Sequence, residues 1–481
     1  MTTPEKILVI GADAAGMSAA HQILREAEKR QRHVHVAALE KMPFTSYSAC
    51  GIPYWVAGDV DQVDSLVART PERHRTMGVD LRTGLTAVKL DTGARTVTAR
   101  TETGNYEDVQ YDQLVIATGG RPVMPEWVGP GDGALHGGVA AVKDLNDGRQ
   151  WIDHLTREFP NRNSIARPVN SSDSAACKGT VVVIGGSYIG LEMAEAAMRR
   201  GFAVTLLTRS TVMSSLDADM SVRISKGLNE AGVHVVEQAT VDGIDIDDDG
   251  WVTAVRTRDG AVFPCELVVV AMGVRPSVDF AREAGLAIGR RGGLTPDSTG
   301  AIAPGIWAAG DCCESLHRIS ENLVYSPLGT HANKQGRIVG TNVMGGQARF
   351  GGVLGTSITR FVHENVHLEV SRTGLSTTES LSAGFDVVSK TTEGRTASGY
   401  MPEASPIAVK ILADRGTRRL LGGQIVGGRS SAKRIDTIAA ALWNEASVDD
   451  LAAVDLSYAP PFATVWEIVQ LAARRLADSM Q

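Results

Sequence analysis

The run Phe44-Thr45-Ser46-Tyr47-Ser48-Ala49-Cys50-Gly51-Ile52-Pro53-Tyr54 places one cysteine among small, turn-forming and aromatic residues. A thiol does its chemistry as the thiolate, and a helix N-terminus or a cationic neighbour lowers its pKa enough to supply that form. Gly51 and Pro53 suit a tight turn at the mouth of a helix, where backbone N–H groups favour a thiolate. Attack on a disulfide sulfur is the chemistry such a group performs. For a cysteine taken alone, a small buried hydrophobe is the competing reading. The flanking sequence decides between them.

A repeat surrounds this stretch. Lys6–Ile10 is a short apolar strand running into Gly11-Ala12-Asp13-Ala14-Ala15-Gly16, then into a helical pattern from Met17 to about Arg30. Downstream, Thr180–Ile184 runs into Gly185-Gly186-Ser187-Tyr188-Ile189-Gly190, then a helix to Arg200. Strand, glycine turn and helix together put a pyrophosphate on a helix N-terminus. Each unit closes on a matching strand: Tyr111–Pro122 reads YDQLVIATGGRP and Cys265–Pro276 reads CELVVVAMGVRP. Two copies in step predict two dinucleotide-binding units, and an α/β fold. Both copies lack the middle glycine of the fingerprint, having Asp13 and Ser187 there. Ser187 is small and can hydrogen-bond a phosphate, whereas the Asp13 carboxylate is expected to turn away.

The two units differ where the nucleotide is chosen. Glu40 ends the strand Val34–Leu39, where an acid accepts hydrogen bonds from ribose hydroxyls. In the second unit the strand Ala203–Leu207 ends in Thr208-Arg209-Ser210, with no acid. An arginine there suits a 2′-phosphate, so NADPH is expected, with NADH as the alternative if Arg209 lies on a solvated loop. A third segment, Gly305–Asp311, delivers Gly310-Asp311, whose carboxylate can be aimed at the ribityl and phosphate part of a flavin. Ser326–Arg337 follows and starts a helix, offering its N–H groups to a reduced flavin ring. His331 in that stretch reads as a structural helix-start residue rather than a base.

Length and charge bound the rest. At 481 residues the chain forms two or three domains with ample core. Forty-eight basic against 55 acidic residues leave a net charge of −7, which argues against nucleic acid or an anionic membrane surface as partner. No apolar run is long enough to span a bilayer, and Ile7–Ile10 belongs to a nucleotide-binding strand rather than a signal peptide. The five cysteines form no C-x-x-C pair and no disulfide framework, so a reducing, cytoplasmic setting is expected, with no metal site. The vicinal Cys312-Cys313 is most simply structural. The Pro-, Asn- and Ser-rich piece at 160–178 reads as a surface loop. The last 135 or so residues carry short alternating strands (Thr356–Phe361, Ile407–Ala413, Leu420–Val426), a helix at Arg434–Asn444 and the closing stretch Ser457–Leu476, an α+β segment suited to dimerisation.

Two dinucleotide units, a cysteine turn after the first, a Gly-Asp segment and an α+β tail resemble the flavin-dependent pyridine nucleotide–disulfide oxidoreductases over nearly the whole chain. Glutathione reductase-like members carry C-x-x-x-x-C, whereas only Cys50 stands here, so the resemblance is to the single-cysteine branch of coenzyme A disulfide reductases, NADH oxidases and peroxidases, and persulfide reductases. Within it, YAPPFATVWE, Gly399-Tyr400-Met401-Pro402 and the stretch Gln22 to Arg25 resemble the coenzyme A disulfide reductases. Two positions depart from the pattern. The residue before the cysteine is often Asn and is Ala49 here, and the histidine that oxidases and peroxidases carry in the first glycine turn is Ala14. The second departure weighs against peroxide or four-electron oxygen chemistry.

The resemblance implies FAD, a nicotinamide coenzyme and a homodimer. It divides the chain into an FAD-binding domain at 1–122 and 274–345, an NAD(P)-binding domain at 123–273, and a dimerisation domain at 346–481. FAD is expected on Gly11, Ala14, Ala15, Gly16, Glu40, Lys41, Ser48, Val88, Ala117, Thr118, Gly119, Arg121, Gly310, Asp311, Gly329, Thr330 and Ala332. The nicotinamide coenzyme is expected on Gly185, Gly186, Ser187, Tyr188, Ile189, Gly190, Thr208, Arg209, Ser210 and Gly273. Gln22, Arg25 and Ser46 are expected to bind a coenzyme A-derived disulfide or persulfide, with Cys50 as nucleophile and Tyr400 and Tyr458 reaching the site from a partner subunit. Buried interface aromatics are the competing reading of the two tyrosines. The rival activities are an NADH oxidase or peroxidase cycling Cys50 through sulfenic acid, and a flavin-containing redox sensor with slow turnover.

Overall fold

A computed structural model describes residues 3–129, 134–159 and 177–480, so most of the 160–178 segment expected to form a surface loop lies outside the described residues. The chain divides into two compact units, one of residues 1–49, 62–121 and 274–353, the other of residues 50–61, 122–273 and 354–481.

In the first unit, six strands among the described residues form a sheet in the order Ala301–Ala303, Ile306–Ala308, Gln113–Ile116, Glu5–Ile10, Val34–Glu40 and Asp80–Thr83. All pairs are parallel except the Ala301–Ala303 edge. Its central strands are apolar almost without break because both faces are covered: Ile7, Leu8, Val9 and Ile10 are all buried. One face carries the helix Ala14–Lys29, with the helix Gly329–Val343 packed on it. The two helices touch through glycines. A Cβ on Gly336 would lie 2.2 Å from the Ala15 carbonyl oxygen, and one on Gly340 2.5 Å from that of Ala19. Against the other face lies a buried layer of Leu85, Leu90, Val97 and Ala99 from an antiparallel sheet of Leu85–Asp91, Thr96–Thr101 and Tyr106–Gln110.

In the second unit the same construction recurs. Five described strands run parallel in the order His234–Val236, Ala203–Leu207, Thr180–Ile184, Leu267–Val270 and Val139–Ala140. The repeat read from the sequence is thus a repeat of register. Ile7 pairs with Gln113 and Ile10 with Ile116, while Val181 pairs with Leu267 and Ile184 with Val270. Residues 354–481 add an antiparallel sheet in the order Ser357–His363, Val366–Gly374, Leu420–Gly427, Pro406–Asp414 and Val387–Arg395. The helix Ile468–Asp478 lies against its last two strands, where Gly394 leaves room for Ile468. Beside that helix the apolar side chains of Phe462 (74 % exposed), Val465 (71 %) and Trp466 (49 %) face outward.

Candidate active site

Each glycine turn is built by two glycines that nothing else could replace. Gly11 has φ +94°, and a Cβ there would lie 2.2 Å from the Ala117 oxygen; on Gly16 it would lie 1.8 Å from the Gly11 oxygen. Gly185 (φ +113°) and Gly190 repeat this, at 2.2 Å from the Ala271 oxygen and 1.9 Å from the Gly185 oxygen. The turns therefore hold the N-termini of Ala14–Lys29 and Tyr188–Arg199 at the C-terminal ends of their central strands, where dinucleotides bind in such sheets. Gly119 (φ +67°), Gly273 (φ +102°) and Gly329 face open space.

All the residues expected to hold FAD lie in the first unit. Glu40 ends its strand buried and accepts hydrogen bonds from the Ala12 N–H at 2.8 Å and the Met42 N–H at 3.0 Å; burial pushes its pKa up against those two bonds. Thr118 donates to the Ser277 carbonyl at 2.6 Å, and Arg121 pairs with Asp279 at 2.5 Å. Val88 sits at the irregular step between Leu85–Asp91 and Thr96–Thr101. Gly310 packs on Ala15, its N–H held by Gln335 at 2.8 Å, and so sets Asp311 beside the first glycine turn. Gly329, Thr330 and Ala332 open the helix Gly329–Val343; Lys41 and Ser48 are exposed. The His331 Nδ1–H donates to the Ser326 carbonyl there, at 3.2 Å. A glycine cradle, a buried ribose-side acid and a second carboxylate at the strand ends together fit an adenine dinucleotide flavin.

The second unit carries the residues expected to hold the nicotinamide coenzyme. Gly186, Ile189 and Gly190 lie within the turn and the first helical residues. The Ser187 hydroxyl donates to the Ala271 carbonyl at 3.3 Å, and the Tyr188 hydroxyl bonds that of Ser357. Thr208 is buried, whereas Arg209 and Ser210 emerge exposed beyond the strand end. Arg209 is thus presented rather than folded into the core.

Cys50 occupies a short turn, Ala49–Gly51, and is exposed; Pro53 lies in the first turn of the helix that follows, Ile52–Ala57. Cys177 is half-buried, and Cys265, Cys312 and Cys313 are buried. The Cys312 and Cys313 sulfurs are 3.7 Å apart, with the Cys312 thiol bonded to the Ala309 and Ile116 carbonyls. Ser46 takes the left-handed conformation (φ +49°), and its hydroxyl lies 2.9 Å from His74 Nε2. His74 Nδ1 in turn meets His21 Nε2 at 2.7 Å. No sequence motif announces this imidazole pair, because residues 21, 46 and 74 converge only through tertiary folding. Burial lowers both histidines, His21 to about 4, so the pair stays neutral near pH 7. Gln22 is buried, its oxygen accepting two bonds from the Arg25 guanidinium at 2.7 and 3.2 Å and its amide donating to Glu26 and Thr341. Gln22 therefore orients Arg25. Tyr400 and Tyr458 are 75 % and 46 % exposed.

A doubled dinucleotide fold with a cysteine turn and an antiparallel C-terminal sheet defines a two-nucleotide flavoprotein oxidoreductase. Comparison with known proteins agrees. Residues 5–336 match the family of pyridine nucleotide-disulphide oxidoreductases, and residues 365–468 match that family's dimerisation domain. The chain belongs to the pyridine nucleotide-disulphide oxidoreductases, enzymes that join FAD to a nicotinamide coenzyme. It is 33 % identical over 476 residues to an NAD(P)H coenzyme A polysulfide/persulfide reductase of Pyrococcus horikoshii, covering 98 % of both chains. It is 30 % identical over 471 residues to an NADH oxidase of Methanocaldococcus jannaschii, covering 97 % of this chain and 98 % of the other. The structure of an NAD-dependent persulfide reductase from A. fulgidus superposes with a TM-score of 0.86 at 30 % identity, covering 98 % of this chain and 83 % of that one. No helix among the described residues is long and apolar enough to cross a membrane.

Proposed function

We propose that this oxidoreductase uses NADPH to reduce a small disulfide or persulfide derived from coenzyme A, with Cys50 as its one reacting thiol. The observation that carries the reading is Cys50 itself, the one exposed cysteine of the five, set in a turn at the head of a helix in a chain with two dinucleotide units. The named activity of the Pyrococcus horikoshii relative supports it. FAD, when bound, supplies two-electron transfer between nicotinamide and sulfur.

The chain's own residues supply the rest. Cys50 as thiolate attacks one sulfur of the substrate disulfide, forming a Cys50–substrate disulfide and releasing the first thiolate, which takes a proton. Two electrons entering that mixed disulfide return the Cys50 thiolate and release the second thiolate, which takes another. One protein thiol suffices because the substrate brings the other sulfur. Arg25, oriented by Gln22, offers a cation to substrate phosphates, and Ser46 a hydroxyl fixed by His74. Tyr400 and Tyr458, exposed in each chain, complete the site from a second copy in a homodimer. The functional division is the FAD domain at 1–122 and 274–345, the nicotinamide domain at 123–273 and the dimerisation domain at 346–481, and the thiols fit a cytoplasmic setting.

An NADH oxidase is the second reading, favoured by the Methanocaldococcus jannaschii relative. Ala14 in the first glycine turn speaks against it, since no imidazole stands there to work with a sulfenic acid. Tyr458→Phe is expected to slow disulfide turnover by about tenfold, the worth of one lost hydrogen bond to a charged leaving group, with flavin content unchanged; stopped assays on both proteins check it. The reading itself is tested by intact mass of enzyme purified without reductant. A coenzyme A adduct at Cys50 that dithiothreitol removes supports it; a sulfenic or sulfinic acid at Cys50 with no thiol adduct returns the oxidase reading to first place.

A further inference from the structure

The loop after the strand Ala203–Leu207 carries Arg209 and Ser210, and it is bonded along its length. The Thr208 N–H donates to the Val236 carbonyl at 3.0 Å, and the Ala239 N–H to the Thr208 carbonyl at 2.9 Å. The Gln238 N–H donates to the Ser210 carbonyl at 3.1 Å, and the Met213 N–H to the Gly186 carbonyl at 2.7 Å. Gln238 (φ +58°) and Met213 (φ +51°) stand in the left-handed region without being glycines, a strain that persists where surrounding bonds impose it. The loop is therefore held in one shape.

An acid with no part in the mechanism above closes its far end. Glu237 is half-buried, and its Oε1 accepts from the Val212 N–H at 2.9 Å and from the Ser225 hydroxyl at 2.7 Å. Ser225 lies on the helix Ala218–Glu230, so one carboxylate oxygen clips the loop to that helix. The loop also packs on the second glycine turn. A Cβ on Gly186 would lie 3.1 Å from the Val212 Cα and 3.4 Å from the Thr208 Cβ. Thr208 and Val212 are buried against that turn, and between them Arg209 and Ser210 are exposed.

We propose that Glu237 is a positioning residue for coenzyme choice: by clipping Val212 to Ser225 it holds the 208–212 loop on the glycine turn, so that Arg209 and Ser210 meet a 2′-phosphate together. The inference rests on the NADPH reading above and names the residue that makes it work. An arginine on a free loop loses affinity to the cost of ordering that loop, whereas a bonded loop has met that cost on folding. The effect falls on the 2′-phosphate alone. The pyrophosphate cradle is fixed by the close approaches at Gly185 and Gly190, which do not involve Glu237. The role is geometric rather than attractive, because a carboxylate repels phosphate. Both bonds go to one oxygen, which a glutamine side chain supplies without the charge.

The test is calorimetric titration of the flavin-loaded enzyme with NADP+ and NAD+, which differ only in the 2′-phosphate. Wild type is expected to bind NADP+ the more tightly. Glu237→Ala is expected to weaken NADP+ about five- to tenfold, the worth of the lost clip, and to leave NAD+ within about twofold. Glu237→Gln is expected to bind NADP+ at least as tightly as wild type. Ser225→Ala, which removes one of the two bonds, is expected to weaken NADP+ about threefold with NAD+ unchanged. Unchanged NADP+ binding in Glu237→Ala overturns the inference, as does an equal loss for both coenzymes or a loss in Glu237→Gln as large as in Glu237→Ala. If Glu237→Ala does not fold, unchanged NADP+ binding in Ser225→Ala overturns it equally. Wild type that binds both coenzymes alike removes the NADPH reading itself, whereas a preference that survives in Glu237→Ala removes only the role of Glu237.

Discussion

Cys50→Ser is expected to retain its yellow flavin and its reduction by NADPH, yet to lose at least about a thousandfold in the reduction of coenzyme A disulfide. The loss follows from acidity. A serine hydroxyl stays protonated where a thiol in an exposed turn ionises, so the step that forms the mixed disulfide has no nucleophile. None of the other thiols can stand in. Cys265, Cys312 and Cys313 are buried and Cys177 is half-buried. Retained flavin reduction separates this from unfolding, because the glycine turns at Gly11–Gly16 and Gly185–Gly190 do not involve residue 50. Stopped-flow reduction under argon, followed by steady-state assay with disulfide, checks both halves.

Arg209→Ala is expected to raise the Michaelis constant for NADPH by roughly ten- to a hundredfold and to leave that for NADH nearly unchanged. An arginine–phosphate pair at a partly exposed site is worth about 1.5–3 kcal/mol. The geometry favours the effect. Thr208 is buried at the strand end while Arg209 and Ser210 emerge into solvent, and no acid occupies the strand terminus to repel a 2′-phosphate. Native enzyme that uses NADH as well as NADPH makes Arg209 a surface residue and the pocket a generalist one.

Both nucleotide units were legible in the sequence because their signals are local. A glycine turn needs its positive φ and its close approach within six residues, so Gly11 and Gly16 announce the same geometry as Gly185 and Gly190. The matching strands Gln113–Ile116 and Leu267–Val270 were readable for a related reason: strands covered on both faces are apolar throughout. The C-terminal sheet was only half visible. Pro406–Asp414 and Leu420–Gly427 are buried and stand out, whereas Val387–Arg395, reading VVSKTTEGR, has no apolar alternation and is a strand because Pro406–Asp414 pairs with it along its whole length. The helix expected from Met17 begins earlier, at Ala14, inside the glycine turn itself.

The tertiary contacts were hidden for a different reason. His21, His74 and Ser46 meet from three separate segments, and Glu192 accepts a hydrogen bond from Thr359 across 167 residues of chain. No spacing rule links such residues. Burial then changes what they are: His21 becomes a neutral imidazole and Glu192 an acid that titrates near neutrality. Gln22 shows the same limit. Its place on the first helix was readable, but its burial against Thr341 and its hold on Arg25 were not.

Cys50-dependent reduction of a coenzyme A species is tested most directly by NADPH consumption by the purified enzyme against coenzyme A disulfide, coenzyme A persulfide, polysulfide, glutathione disulfide, peroxide and oxygen at equal concentration. The fastest turnover is expected with a coenzyme A-derived disulfide or persulfide, and oxygen and peroxide rates at least about tenfold lower. Oxygen or peroxide as the preferred acceptor, with coenzyme A species left unreduced, would contradict it.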